Sequence, residues 1–168
     1  MKQPTVYLDT TIISAYWYGG RDVASLARKL KTREWWNTER RHFSLWTSSV
    51  SEIELRAGAF RRQVECVRMV QRLNYLPITS EASELVDQIL EIGIVPANKP
   101  RDALQMAVSA AHEMDYLLSW NYAHLANPVV QSRLDALCRQ RDLRAPLLVS
   151  PETIPKVALG QIIRRRKP

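Results

Sequence analysis

Apolar residues recur along this chain with two spacings, and each change of spacing marks a change of element. Val6-Tyr7-Leu8 is a continuous apolar run behind Pro4, broken by Asp9-Thr10-Thr11, residue types that open helices. A strand, a turn and a helix are therefore expected in that order. Ile12, Ile13, Tyr16 and Trp17 mark one face of that helix, and Gly19-Gly20 stops it. From Asp22 to Arg41 the spacing of Val23, Leu26, Ala27 and Leu30 predicts a second helix that buries this row, with Arg28, Lys29 and Arg33 on the other face. Phe43 to Thr47 alternates large apolar with small polar residues, a strand pattern, and Ser48-Ser49 starts another helix.

The second half repeats the alternation. An Arg-rich helix is expected from Gln63 to Leu73, and Tyr75-Leu76-Pro77-Ile78 can form no more than an edge strand because of its proline. Thr79 or Ser80 caps a helix with Ala82, Leu85, Val86 and Ile89 on one face, ended by Gly93. A helix with Pro100 in its first turn follows, apolar on most sides through Ala103, Leu104, Met106, Ala107, Val108, Ala110 and Ala111, so it packs centrally. Tyr116 to Ser119 reads as a buried strand. A polar turn to His124, a helix near residues 129–139 and a last strand at Leu147-Leu148-Val149 complete the chain. Short apolar strands alternating with helices predict an α/β three-layer sandwich, a mostly parallel sheet with helices on both faces.

Composition narrows the class. With 168 residues and 46% apolar content the chain can bury one full core, so a single domain over residues 1–150 is expected, followed by an extension over 151–168 with a basic tail. Cys66 and Cys138 stand far apart and outside any Cys/His cluster, which points to reduced thiols rather than a disulfide or zinc framework. No apolar run approaches the roughly 18 residues of a membrane span. No signal peptide follows Met1-Lys2-Gln3-Pro4-Thr5, so a soluble, cytoplasmic protein is expected. The net charge of +7 implies a polyanionic partner. Residues 21–72 hold 12 basic against 6 acidic residues, and Arg164, Arg165, Arg166 and Lys167 add four more positive charges.

In parallel α/β sheets, sites form beyond the carboxyl ends of the strands. Asp9 follows the first strand directly, Asn121 follows the strand at 116–119, and Asp102 opens the central helix. Glu54 falls on the row Val50, Ile53, Glu54, Ala57, an expected core-facing stripe, whereas Glu52 is explained by a Ser49-x-x-Glu52 capping box. A buried carboxylate is costly unless paired or metal-bound. If Asp9, Glu54 and Asp102 share a cleft, their mutual repulsion asks for a hard divalent cation such as Mg²⁺ or Mn²⁺. A basic protein with an acidic metal pocket suits a nuclease. Each acid also has a plainer reading: Asp9 as a helix cap, Asp102 as a complement to a helix dipole, Glu54 as an ion-pair partner of a nearby arginine.

Leu8-Asp9-Thr10-Thr11, Glu54-Leu55-Arg56-Ala57-Gly58, Asp102-Ala103-Leu104 and Asp115-Tyr116-Leu117-Leu118-Ser119, in this order, resemble the PIN domain from about residue 4 to residue 150. In length the chain resembles VapC-type toxins of toxin-antitoxin pairs. The resemblance implies that Asp9, Glu54 and Asp102 bind Mg²⁺ or Mn²⁺ for phosphodiester hydrolysis of RNA. It implies, too, that Thr11 and Ser119 support them, and that a homodimer is neutralised by a cognate antitoxin. The family commonly has a fourth Asp where Asn121 stands; its amide carbonyl can still touch a metal or its water, but one negative charge is missing. His124 is a structural residue of the turn or a proton donor to the leaving group. Trp35-Trp36 packs between helices or stacks bases. Arg61, Arg62, Arg68 and Arg72 form a solvated face, or one that meets RNA or antitoxin. Two rivals remain: a catalytically weak nucleic-acid-binding module on the same fold, and a phosphatase with Asp9 as nucleophile. The latter pattern wants an acid two residues on, where Thr11 stands.

Overall fold

The computed structural model describes residues 3–156; the basic run at 164–167 and most of the expected extension lie outside the described residues. Five parallel strands form one sheet in the order β3-β2-β1-β4-β5. They are β1 (Thr5–Leu8), β2 (Ser44–Ser48), β3 (Asn74–Leu76), β4 (Tyr116–Leu118) and β5 (Leu147–Val149). Their crossovers carry α1 (Thr10–Trp17), α2 (Val23–Thr38), α3 (Ser49–Ala57), α4 (Gln63–Val70), α5 (Ser80–Glu91), α6 (Pro100–Ala111) and α7 (Pro128–Gln140). A short 3₁₀ turn, Arg40–His42, closes the second helical segment, which ends as an α-helix at Thr38 rather than Arg41.

The pleat of β1 sorts its side chains between two cores. Tyr7 points into a cluster with Leu85, Ile89, Met106 and Leu134, while Val6 and Leu8 point into a second with Ile12, Trp35, Leu55 and Val70. Helices thus cover both faces, as the alternation of elements predicts. The central helix α6 buries Ala103, Met106, Ala107, Val108 and Ala110. Its small residues let it lie close to the sheet, which carries Asp102 at its amino end to the edge of the cleft. No helix among the described residues is long and apolar enough to cross a membrane.

Two expected packing faces are wrong. On α2 the row Val23, Leu26 and Leu30 stands in solvent, with Val23 81% exposed, and the helix is anchored instead through Thr32 and Trp35. Trp35 packs on Phe43 with ring centroids 5.9 Å apart, and Thr32 Oγ1 accepts a 2.7 Å hydrogen bond from Trp120 Nε1. One buried tryptophan outweighs a row of smaller aliphatic side chains, because an aromatic side chain removes roughly 150–250 Å² from water. On α3 the buried residues are Val50, Ser51 and Leu55, while Ile53 is 62% exposed. The capping box also fails. Ser48 is the N-cap, but its hydroxyl pairs with Tyr7 Oη at 2.7 Å and makes no cap bond. Glu52 instead accepts from Arg56, Gln71 and Tyr75.

Candidate active site

The sheet reverses its direction of growth between β1 and β4, and the crevice beyond their carboxyl ends is where such folds bind ligands. Asp9 is the first residue past β1, and its N–H still donates to Leu118 O at 3.1 Å. It occupies the N-cap position of α1 yet makes no side-chain cap bond, so the plain capping role is not taken. Its carboxylate faces hydroxyl groups. Oδ2 accepts from Thr11 Oγ1 and from Ser119 Oγ, both at 2.5 Å, and Oδ1 accepts from Thr10 Oγ1 at 3.1 Å. Thr11 Oγ1 and Ser119 Oγ in turn accept from the backbone N–H groups of Trp120 and Asn121, each at 2.9 Å. Each hydroxyl has one proton, so the backbone amides of the β4 loop fix its direction toward Asp9.

Glu54 and Asp102 enter from α3 and α6. Asp102 lies in the first turn of α6, where the helix N-terminus favours a carboxylate, and its Oδ2 accepts from Asn121 Nδ2 at 3.1 Å. Glu54 Oε2 accepts from Gln105 Nε2 at 3.3 Å. Burial and then the Asp9 charge push both carboxyls above their usual range. Asp102 further raises Glu54. Three carboxylates from three elements therefore feel one another's charge. The opposing positive charges are Arg101 at Glu54 and Lys99 at Asp102, and the His124 ring also lies within electrostatic reach of Asp102. Among the described residues, no three of His, Cys, Asp and Glu close to the spacing of a bound metal. In donor chemistry the set suits a hard divalent ion, because its carboxylate and hydroxyl oxygens are the ligands Mg²⁺ and Mn²⁺ prefer.

Asn121 sits beside this set in an orientation the sequence did not indicate. Its Oδ1 accepts from His124 N–H at 3.1 Å and closes the turn, so its amide nitrogen, not its carbonyl, is turned to Asp102. The carbonyl is thus committed to the backbone. His124 is half-buried in that turn. Two openings flank Glu54. One, of about 340 Å³, is lined by Thr10, Thr11, Arg28, Glu54 and Trp120; the other, of about 400 Å³, by Ser14, Glu54, Phe60 and Arg101.

Sequence reasoning missed Thr10 and Gln105. Gln105 is 1% exposed, and its Oε1 has no hydrogen-bond partner among the described residues. A polar side chain one turn after Asp102, in a helix otherwise apolar on most sides, is the signal that would have found it. Thr10 gave none, since any cap position admits a threonine. Glu54 was found on a mistaken premise. The row through it is not the core face of α3; it borders Leu55 and points to the cleft.

The profile of the PIN domain matches residues 6–122. No curated protein sequence matches the chain. Among solved structures, a member of the VapBC family of toxin-antitoxin systems, VapBC-5 from Mycobacterium tuberculosis, is 17% identical. That likeness covers 68% of this chain and 83% of that one, with a TM-score of 0.43. VapBC2 from Rickettsia felis, bound to a DNA fragment from their promoter, is 14% identical, covering 71% and 89%, with a TM-score of 0.46.

Proposed function

Because the chain belongs to the PIN domain family, whose members are generally nucleases, we propose that it is a divalent-metal-dependent endoribonuclease and the toxin of a toxin-antitoxin pair. The observation that carries the reading is Asp9: 2% exposed, held by hydroxyls on both carboxylate oxygens, and within charge reach of Glu54 and Asp102. Asp9, Glu54 and Asp102 would hold Mg²⁺ or Mn²⁺. Such an ion activates water and neutralises charge developing on the phosphodiester. Thr11 and Ser119 keep the Asp9 carboxylate oriented, and the Asn121 amide does the same for Asp102. Arg28 and Arg101 each line one of the flanking openings, and in this reading they would hold the phosphates of the strand. The resemblance also brings a cytoplasmic setting, a cognate antitoxin and a homodimer to this reading.

RNA incubated with the purified chain and Mn²⁺ is expected to be cut to 5′-phosphate and 3′-hydroxyl ends, and a chelator to stop it. Fragments with cyclic phosphates, or cutting that survives chelation, overturn the assignment.

The position of Asn121 favours a second reading, a nucleic-acid-binding module of weakened metal affinity. An Asn donates to Asp102 without a cation, where an Asp would need one. Asn121→Asp removes the 3.1 Å hydrogen bond and places a second carboxylate beside Asp102. The metal-free variant should melt lower than the parent, and its Mn²⁺ affinity, read by calorimetry, should rise by about tenfold. Wild-type RNA binding with no Mn²⁺ heat, together with heat restored by Asn121→Asp, would select the module over the enzyme.

A further inference from the structure

The largest opening among those described lies away from the acids. It has a volume of about 660 Å³, within the range of ligand sites. It is bounded by the end of α1, the end of α2 with its 3₁₀ turn, the amino ends of β2 and β3, and α4 with the residues after it. Asp9 follows the opposite, carboxyl end of β1. At about 3.3 Å per residue, a strand of this length puts the groove on the order of 15 Å from the acids.

Its chemistry is that of planar rings and guanidinium groups. Tyr16, Trp17 and Trp36 present half-buried aromatic surface, and Arg40, Arg41, Arg68 and Arg72 supply positive charge. Arg40 already stacks on the Trp36 ring, its guanidinium carbon 5.1 Å from the centroid. None of these four arginines forms an ion pair among the described residues. The one acid on the lining, Glu65, is paired with Arg62 at 2.6 Å and feels the Arg68 charge without forming an ion pair with it. Trp35, by contrast, is 2% exposed and belongs to the core, so only its neighbour Trp36 is available to a ligand.

We propose that this groove is a second contact for single-stranded RNA, outside the cleaved bond, taking a base at the Trp36–Arg40 stack and phosphates on Arg41, Arg68 and Arg72. The identity of the polyanion rests on the ribonuclease reading above; the groove's preference for stacked, anionic ligands rests on its own residues. Aromatic faces accept any base, and arginines without an ion-pair partner bind backbone phosphate without reading sequence. The groove therefore adds affinity for longer strands and leaves base choice at the cut to the cleft.

The test uses the full chain carrying Asp9→Asn, in chelator, with a fluorescein-labelled unstructured RNA of about 15 nucleotides, read by anisotropy across a salt series. Arg68→Glu with Arg72→Glu should raise Kd at least about tenfold and shallow the log–log salt slope by about 1.4, the share of two phosphates on a single strand. Trp36→Ala should weaken binding about 5- to 100-fold and leave the slope unchanged. Arg68→Lys with Arg72→Lys should keep the slope, which a merely structural role for the arginines does not require. In the chain with Asp9 intact, the glutamate pair should raise KM for long RNA and spare cleavage of a tetranucleotide. Unchanged Kd and slope in the glutamate pair overturn the groove, even if the same pair loses binding to an acidic protein partner. RNA binding that depends on the groove, in a wild-type chain that never cleaves, would sink the nuclease reading and keep the groove.

Discussion

Asp9→Asn is expected to lower kcat/KM for RNA cleavage by at least about 10³-fold while leaving the fold intact. An asparagine keeps one oxygen, which can still face the Thr11 and Ser119 hydroxyls that now donate to Oδ2 at 2.5 Å. Its amide then turns to Thr10 Oγ1, a hydroxyl able to accept as well as donate. Packing and hydrogen bonding therefore survive. What disappears is the negative charge at the centre of the acidic set, and with it the grip on a divalent ion that the proposed function requires. Melting curves of the two proteins should nearly coincide in chelator, and only the parent should gain stability on adding Mn²⁺. Cleavage within tenfold of the parent would remove Asp9 from the chemistry, and induced expression of both forms would show whether growth inhibition follows the same carboxylate.

That Asp9 could be placed just past the first strand from the chain alone has a physical reason. A short apolar run fixed β1, and the polar residues ending it had to lie at the carboxyl end of a strand. The same reasoning placed Ser119 after β4 and Asp102 at the head of α6, whose small residues announced its central position. Side-chain orientation was less accessible. Periodicity counts apolar positions without weighing them, so it turned α2 toward Val23, Leu26 and Leu30 although Trp35 decides the contact. Nothing local reveals that Ser48 spends its hydroxyl on Tyr7, a residue 41 positions away, and so leaves α3 uncapped. The Asn121 amide is a similar case. Which end of it meets Asp102 is settled by the His124 N–H, and that depends on the turn the loop adopts.

At the other end of the sheet, the same sequence motif that leads to Ser119 begins with an acid whose work is structural. Asp115 Oδ2 accepts from Thr5 N–H at 2.8 Å and from Thr5 Oγ1 at 3.0 Å, and Oδ1 accepts from Arg144 Nη1 at 2.7 Å. Leu147 N–H donates to the Asp115 carbonyl at 2.9 Å, so this residue ties together the starts of β1, β4 and β5. Both Asp115 and Arg144 side chains are only 16% exposed. Asp115→Asn retains one acceptor; whichever partner keeps it, the other meets an amide donor, and Arg144 is left without its anion. The expected cost is about 3 kcal/mol, with a fall in Tm of about 9 °C for a chain of this size. Burial alone would raise the Asp115 pKa, but the Thr5 backbone N–H, Arg144 and the Thr5 hydroxyl together hold it below the usual carboxylate range. A depressed folded pKa contributes stability that is fully present above the unfolded value, about 3.9, and is lost as pH falls through the folded value. Urea denaturation should therefore show a constant gap between parent and variant from pH 7 to about 5, narrowing below about pH 4. A gap unchanged at pH 3 would mean that the ionised carboxylate is not what holds these strand ends. Because the acids lie past the opposite ends of β1 and β4, cleavage by the folded variant should stay near that of the parent, which separates loss of stability from loss of chemistry.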